Sequence, residues 1–274
     1  MSALADLPPL RESLDAHGLL ARKSLGQHFL LDLNITRKIA RLAAVGEGDL
    51  VIEVGPGPGG LTRALLETGA EVVAIEKDER FLPLLQELAA AAPGRLRVEH
   101  ADALAADEAA LAGGRPAHVV SNLPYNVGTP LLVKWLTGDF RPAAMTLMFQ
   151  KEVAQRIVAA PGASAYGRLA VIAQACADGQ IVMDAPARAF TPPPKVDSAV
   201  VRLTPRADRP APARLDALQA VTAAAFGQRR KMLRSSLKPL GGEALCAAAG
   251  VDPARRAETL SVAEFLALAD QLGR

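Results

Sequence analysis

Apolar residues along this chain fall into short runs separated by amphipathic stretches. Leu50–Val54, Glu71–Ile75, Leu96–Glu99, Ala117–Val120 and Ala144–Phe149 read as strands, spaced roughly 20–30 residues apart. Helical periodicity lies between them, over Leu61–Thr68, Phe81–Ala91 and Pro130–Leu136. Strands alternating with helices predict an α/β fold with a doubly wound, mostly parallel, Rossmann-like sheet. Past residue 150 the spacing predicts a helix with Val153, Ile157 and Val158 on one face, then another over Leu169–Cys176. Ile181–Met183 and Ser198–Leu203 flank a proline-rich loop and suggest a strand return at the sheet edge. The stretch PRADRPAP (Pro205–Pro212) reads as a linker. Beyond it the pattern is helical, and Ser261 with Glu264 forms a capping box for a last helix over Ala263–Leu272. These signals divide the chain into a sheet domain over residues 1–205, with 1–21 as an N-terminal extension, and a small all-helical domain over 206–274.

Composition narrows the class. Half of the 274 residues are hydrophobic, enough for a sizeable core. The net charge of +2 is unevenly placed: residues 1–205 carry 20 Lys/Arg against 22 Asp/Glu, and residues 206–274 carry 11 against 7. A neutral body with a basic C-terminal part suits a polyanionic partner met on one side. Cys176 and Cys246 are 70 residues apart and the four histidines show no ligand spacing, so reduced thiols and no metal are expected. No apolar run reaches membrane-spanning length, and Met1–Asp6 lacks the basic and apolar blocks of a signal peptide. A cytoplasmic protein is the expectation.

Two motifs carry chemistry. The loop Gly55-Pro-Gly-Pro-Gly-Gly60 follows a strand and opens a helix, and Glu76 ends the next strand. By pattern alone this is a dinucleotide fingerprint. However, Glu53 lies inside the first strand, where a carboxylate suits an ammonium and repels pyrophosphate. The two prolines also remove N–H donors that phosphates want. S-adenosylmethionine has no phosphate and carries an ammonium, so Glu53, Gly55 and Gly57 suit it better. Glu76 would take its ribose hydroxyls. Asp102 would take its adenine amine, although Asp is also a common N-cap. The second motif, Asn122-Leu123-Pro124-Tyr125, follows the strand run Val119-Val120. An amide oxygen on Asn122 and a backbone carbonyl of Leu123 or Pro124 can accept both N–H bonds of adenine's exocyclic amine, while Tyr125 stacks on the base. An ordinary strand-ending turn would use the same residue types. Gly55, Glu76, Asp102 and Asn122 all follow successive strands, where ligands of open α/β sheets bind.

With these residues in view, the sequence resembles the KsgA-type family of small-subunit ribosomal RNA adenine dimethyltransferases. The carriers are KSLGQHFL (Lys23–Leu30), EVGPGPGGLT (Glu53–Thr62), SNLPYN (Ser121–Asn126), FQKEVAQR (Phe149–Arg156), AYGRL (Ala165–Leu169), FTPPPKVDSAVVRL (Phe190–Leu203) and FGQRRKMLRSSLK (Phe226–Lys238). The resemblance implies an S-adenosylmethionine-dependent enzyme that dimethylates two adjacent adenosines near the 3′ end of small-subunit ribosomal RNA. It also implies a role in late small-subunit assembly. It places cofactor contacts at His28, Leu30, Gly55, Glu76, Asp102 and Asn122, with His28 where the family commonly has Asn. It places Phe190 against the target base on the face opposite Tyr125; without the resemblance Phe190 equally suits a core position.

Arg229, Arg230, Lys231, Arg234 and Lys238 put five cations in ten residues with no acid among them. On a helix, Arg230, Arg234 and Lys238 would align and repel, and a phosphate backbone would relieve this. Arg22 and Lys23 form a second basic arm. The expected partners are the 3′-terminal hairpin region of small-subunit RNA and the assembling subunit, met by a monomer. The competing readings are a large-subunit adenine methyltransferase of the antibiotic-resistance type and an assembly factor whose catalysis is secondary.

Overall fold

The computed structural model describes residues 3–19, 21, 27–228 and 230–272. Arg22, Lys23 and Arg229 lie outside the described residues. The described chain runs α1 (Leu10–Ala16), β1 (Phe29–Leu30), α2 (Leu33–Ala43), β2 (Leu50–Val54), α3 (Gly60–Glu67), β3 (Glu71–Glu76), α4 (Leu82–Ala91), β4 (Leu96–His100), α5 (Glu108–Ala112), β5 (Ala117–Asn122), α6 (Gly128–Thr137), β6 (Met145–Gln150), α7 (Lys151–Val158), α8 (Arg168–Cys176), β7 (Ala177–Ala185), β8 (Phe190–Thr191), β9 (Ser198–Pro205), α9 (Pro212–Gly227), α10 (Leu233–Ser236), α11 (Gly242–Ala248) and α12 (Val262–Leu272). The predicted strands and helices fall in place to within a few residues.

The main sheet has seven strands in the order β4-β3-β2-β5-β6-β9-β7. β2 pairs in parallel with both β3 and β5, and β9 returns antiparallel to β6. The strand return expected at the edge is therefore β9 with β7. All five residues of β2 are buried, as a strand covered on both faces requires. The order changes direction between β2 and β5, and open α/β sheets bind ligands at such a switch point. A separate two-stranded ladder pairs Leu30 of β1 with Phe190 of β8. Neither this ladder nor α2 was read from the sequence.

The chain divides into two compact units. The first holds Met1–Trp135, Asp139–Ala154 and Gln180–Thr204; the second holds Leu136–Gly138, Gln155–Gly179 and Pro205–Arg274. The helical unit thus recruits α8 as well as everything after residue 204. Phe226 of α9 makes the link, stacking on Phe265 of α12 at 5.5 Å and meeting the edge of buried Tyr166 at 6.2 Å. The linker stretch is tied down: the Arg206 guanidinium pairs with Asp178 and Asp208, and Arg209 donates to the Gly138 carbonyl. The capping box forms as expected, the Ser261 N–H donating to Glu264 Oε2 at 2.7 Å and the Glu264 N–H to Ser261 Oγ at 3.2 Å.

The basic segment is not one helix. Arg230 and Lys231 lie in a turn, α10 is four residues long, and a short 3-10 turn covers Lys238–Leu240. The Leu233 and Arg234 N–H groups donate to the Arg255 and Pro253 carbonyls, which takes the backbone out of a continuous helical ladder. Arg230, Lys231, Arg234 and Lys238 are all exposed. No helix among the described residues is long and apolar enough to cross a membrane. No group of three or more His, Cys, Asp or Glu among them could hold a metal ion.

Candidate active site

A cavity of about 490 Å³ opens at the carboxyl ends of β2, β3, β4 and β5. That is the size expected for a small-ligand site. His28, Leu30, Glu53, Gly55, Gly57, Glu76, Asp102, Asn122, Leu123, Pro124 and Tyr125 all line it, so the candidates on four strand ends do converge.

The glycine loop is shaped by close approach. Gly55 has φ +65°, and a Cβ on it would stand 3.2 Å from the Pro124 ring. A Cβ on Gly60 would stand 2.6 Å from the Leu30 carbonyl oxygen. The donors of this loop are committed internally. The Gly55 N–H donates to the Ile75 carbonyl, Gly57 to Glu76 Oε2 and Gly59 to the Pro56 carbonyl, while Pro56 and Pro58 have none. No N–H of residues 55–59 is left to cradle a pyrophosphate, which leaves only the first turn of α3 for that task.

Five acids line the cavity, and four of them, Glu53, Glu76, Asp78 and Asp102, stand in opposed electrostatic states. Glu53 is 2% exposed, and its Oε2 has no hydrogen-bond partner. Burial pushes its carboxyl up to about 8, with the Thr62 hydroxyl opposing the rise and the nearby Glu76 charge adding to it. Glu76 is also buried, and burial holds it above its ordinary value. Its carboxylate is aimed by the Gly57 N–H at 3.0 Å and the Asp78 N–H at 2.7 Å, one on each oxygen. Each oxygen keeps a lone pair for a diol. Asp78 is pulled down to about 2 by hydrogen bonds from Arg80, with Gln27 adding to the effect. Asp102 is held below its ordinary value by Lys77 at 2.8 Å and the Leu104 N–H at 3.0 Å. Asp102 therefore caps the following turn and lines the cavity at once.

At the next strand end, Asn122 Nδ2 donates to the His28 carbonyl at 3.4 Å, which fixes the amide with Oδ1 as its remaining acceptor. The Pro124 carbonyl already accepts the Val127 and Gly128 N–H groups, at 3.1 and 3.0 Å, where the chain turns into α6. Both its lone pairs are used, so of the two carbonyls considered only that of Leu123 remains. The Tyr125 hydroxyl bonds the buried Ser198 Oγ at 2.7 Å, and burial raises its pKa. The His28 ring lies 5.5 Å from the Tyr125 ring, tilted by 31°, and its Nδ1 donates to the Pro192 carbonyl at 2.8 Å.

Phe190 is the departure. It is 3% exposed and packs in the core with Leu30, Leu61 and Leu65, outside the residues that line the cavity. Its pairing with the cavity-lining Leu30 places it there, behind the cavity wall, where its ring is covered rather than presented as a second stacking face. Sequence reasoning also missed Ser198, whose only signal was its place in the run FTPPPKVDSAV, and the Gln27–Asp78–Arg80 contacts.

The switch-point cavity, the carboxylates at strand ends and the sheet order together define a Rossmann-like methyltransferase, as the solved structures it resembles bear out. More narrowly, the chain belongs to the Ribosomal RNA adenine dimethylase family, whose profile matches residues 18–273. It is 77% identical over 98% of its length to the Ribosomal RNA small subunit methyltransferase A of Phenylobacterium zucineum, covering 94% of that protein. It is 72% identical to the protein of the same name from Caulobacter vibrioides, over 91% of this chain and 96% of that one. Among solved structures it resembles a dimethyladenosine transferase from Plasmodium falciparum, with TM-score 0.74, 25% identity, and 90% of this chain and 98% of that chain covered. It also resembles the 23S rRNA methyltransferase ErmE, with TM-score 0.68, 28% identity, and 90% and 100% covered.

Proposed function

We propose that this protein uses S-adenosylmethionine to dimethylate the exocyclic amine of two adjacent adenosines near the 3′ end of small-subunit ribosomal RNA. It would act in the cytoplasm, as a monomer, on the assembling subunit. The observation that carries the reading is the pair of unspent acceptors, Asn122 Oδ1 and the Leu123 carbonyl, at the strand end beside the Glu53–Gly55 cavity wall.

The cavity fits the cofactor on its own chemistry. Glu53 presents a buried carboxyl oxygen without a partner, which an ammonium satisfies. Glu76 is aimed for a ribose diol, and Asp102 stands where an adenine amine needs an acceptor. Gly55 and Gly57 let the backbone approach closely, and His28 and Leu30 close the wall. When bound, the cofactor supplies an electrophilic methyl group on its sulfonium. The chain's residues do the rest. Asn122 and Leu123 accept the two N–H bonds of the target amine, which turns its lone pair out of the ring plane. Tyr125, held by Ser198, offers a ring face to the extruded base; taking that base out of its stack costs a few kcal/mol. The amine loses one proton per transfer, and water is its simplest acceptor. Positioning and exclusion of water provide the acceleration.

Arg229, Arg230, Lys231, Arg234 and Lys238 would contact the RNA backbone, and Arg22 and Lys23 would be a second basic arm. The likeness to ErmE makes a large-subunit substrate the competing reading. The test is transfer of labelled methyl groups to small subunits lacking the modification, with large subunits alongside and nucleoside mass analysis of the product. Dimethyladenosine on small subunits alone is expected. The Asn122→Ala variant is expected to lose on the order of 10²–10³-fold in rate, as removal of one transition-state partner typically does. Label on large subunits would overturn the substrate assignment, and full activity in the variant would overturn the site.

A further inference from the structure

Half-buried Lys134 and buried Glu108 form a polar cluster that the proposed chemistry does not use. Glu108 is 2% exposed and begins α5; Lys134 lies in α6. The Lys134 ammonium donates to the Ala103 carbonyl at 2.9 Å, to the Ala106 carbonyl at 2.6 Å and to the Glu108 carboxylate at 2.8 Å. Three donors face two main-chain carbonyls and both oxygens of one carboxylate, which uses the whole capacity of the ammonium. Glu108 Oε1 in turn accepts the indole N–H of the next residue, Trp135, at 2.7 Å, and Trp135 is itself 1% exposed. The carboxylate is thereby fixed against α6 by two successive side chains.

What this cluster grips is the loop after β4. Asp102 opens that loop, its carbonyl accepting the Ala105 and Ala106 N–H groups at 2.9 and 3.0 Å. Asp102, Ala103 and Leu104 all line the cavity, and Leu104 is 43% exposed there. What it grips the loop to is the helix that begins at the Asn122–Val127 turn, since the Pro124 carbonyl receives the first N–H groups of α6. A surface lysine would not arrange its ammonium on two main-chain carbonyls and a buried acid. Such an arrangement costs desolvation and returns rigidity.

We propose that Lys134 is a positioning residue that locks the Asp102–Ala106 loop to α6, so that the adenine end of the cofactor site and the turn that grips the target amine are held in register. This rests on the reading of Asp102 as a contact of the cofactor's adenine. Loss of the lock would weaken binding at the adenine end through loop disorder, although Lys134 touches no ligand.

The test is calorimetric titration of S-adenosylhomocysteine into the full-length protein, with thermal melting alongside. Removing Lys134 alone would strand a buried carboxylate, so the variant is the pair Lys134→Met with Glu108→Gln. Lys134→Gln, which leaves Glu108 an amide partner, is the second variant should the pair not fold. The pair is expected to melt close to the wild type yet bind roughly tenfold more weakly. Adding Asp102→Ala to it is expected to weaken binding no further than the worse parent, because both act through one loop. A purely structural role would move the melting and leave the affinity. Wild-type affinity in the pair, with Asp102→Ala alone weakened, would overturn the inference and leave the proposed function standing. Wild-type affinity in both would remove the adenine assignment, and the inference with it.

Discussion

Glu53 and Arg234 are both ionisable side chains assigned to a ligand, yet they stand in opposite physical situations. Glu53 is 2% exposed inside an all-buried strand with one oxygen unpartnered. Arg234 is exposed on a four-residue helix and makes no ion pair among the described residues. Water satisfies Arg234, so nothing in its surroundings demands a partner. Glu53 Oε2 finds no hydrogen-bond partner within the protein, and an ammonium is the group that would suit it. The cavity is shaped around positioned polar groups, one of them an unpartnered carboxyl oxygen, whereas the basic segment is an exposed run of positive charge. The first is disturbed by a methyl group in the wrong place and the second by a change in charge.

The largest expected effect falls on the cavity side. Gly60→Ala sets a Cβ 2.6 Å from the Leu30 carbonyl oxygen, a backbone atom, with the Leu10 side chain at 3.0 Å. Either α3 or the β1 strand must move. Overpacking of this kind costs about 1–3 kcal/mol, and the shift carries through Leu30 into the cavity wall. Thermal melting and S-adenosylhomocysteine titration are both expected to show the loss. An unchanged melting temperature with unchanged affinity would mean that the loop is compliant, and the contrast with the basic segment would weaken.

How much of this contrast could be read in the sequence differs between the two regions. The strands β2, β3, β5 and β6 were legible as short apolar runs that end in a polar residue or glycine, and β4 by its alternation of Leu96 and Val98 with charged residues. Their ends then placed Gly55, Glu76, Asp102 and Asn122 on one edge by topology alone. The ladder of β1 with β8 was not legible, because two-residue strands have no period. The burial of Phe190 was not legible for the same reason: its pairing with Leu30 is a long-range fact with no local signature. In the basic segment, Leu233 and Leu237 stand four apart and imitate a helix face. Pairing with the Pro253 and Arg255 carbonyls breaks the helix, and no nearby residue announces it. The charge density of the segment was legible because exposed charge depends little on the backbone beneath it.

A middle-sized effect tests whether Glu53 is the unmet group. Its ordinary value is 4.5 and burial raises it to about 8. Between those values the folded protein without cofactor holds a proton that the unfolded chain has released. Stability therefore falls as pH rises through that window. Glu53→Gln removes the titration. Its melting temperature is expected to decline less than that of the wild type from pH 5 to pH 8, with the variant the more stable at the upper end. Identical profiles would place the proton elsewhere. S-adenosylhomocysteine, whose ammonium favours the ionised carboxylate, is expected to narrow the difference for the wild type only.

The smallest effect on stability belongs to the other side. Arg230 and Arg234 are exposed, so Arg230→Glu with Arg234→Glu is expected to leave unfolding within about 0.5 kcal/mol of the wild type. RNA affinity tells them apart from ordinary surface charge. Each phosphate contact contributes about one unit to the slope of log affinity against log salt. The double variant is therefore expected to bind RNA more weakly and with a slope shallower by about 2, while S-adenosylhomocysteine binding stays as it was. Wild-type affinity and slope would remove this segment from the RNA footprint. A loss of cofactor binding would be more damaging, because it would show that the two regions are not the independent constructions their opposite electrostatics describe.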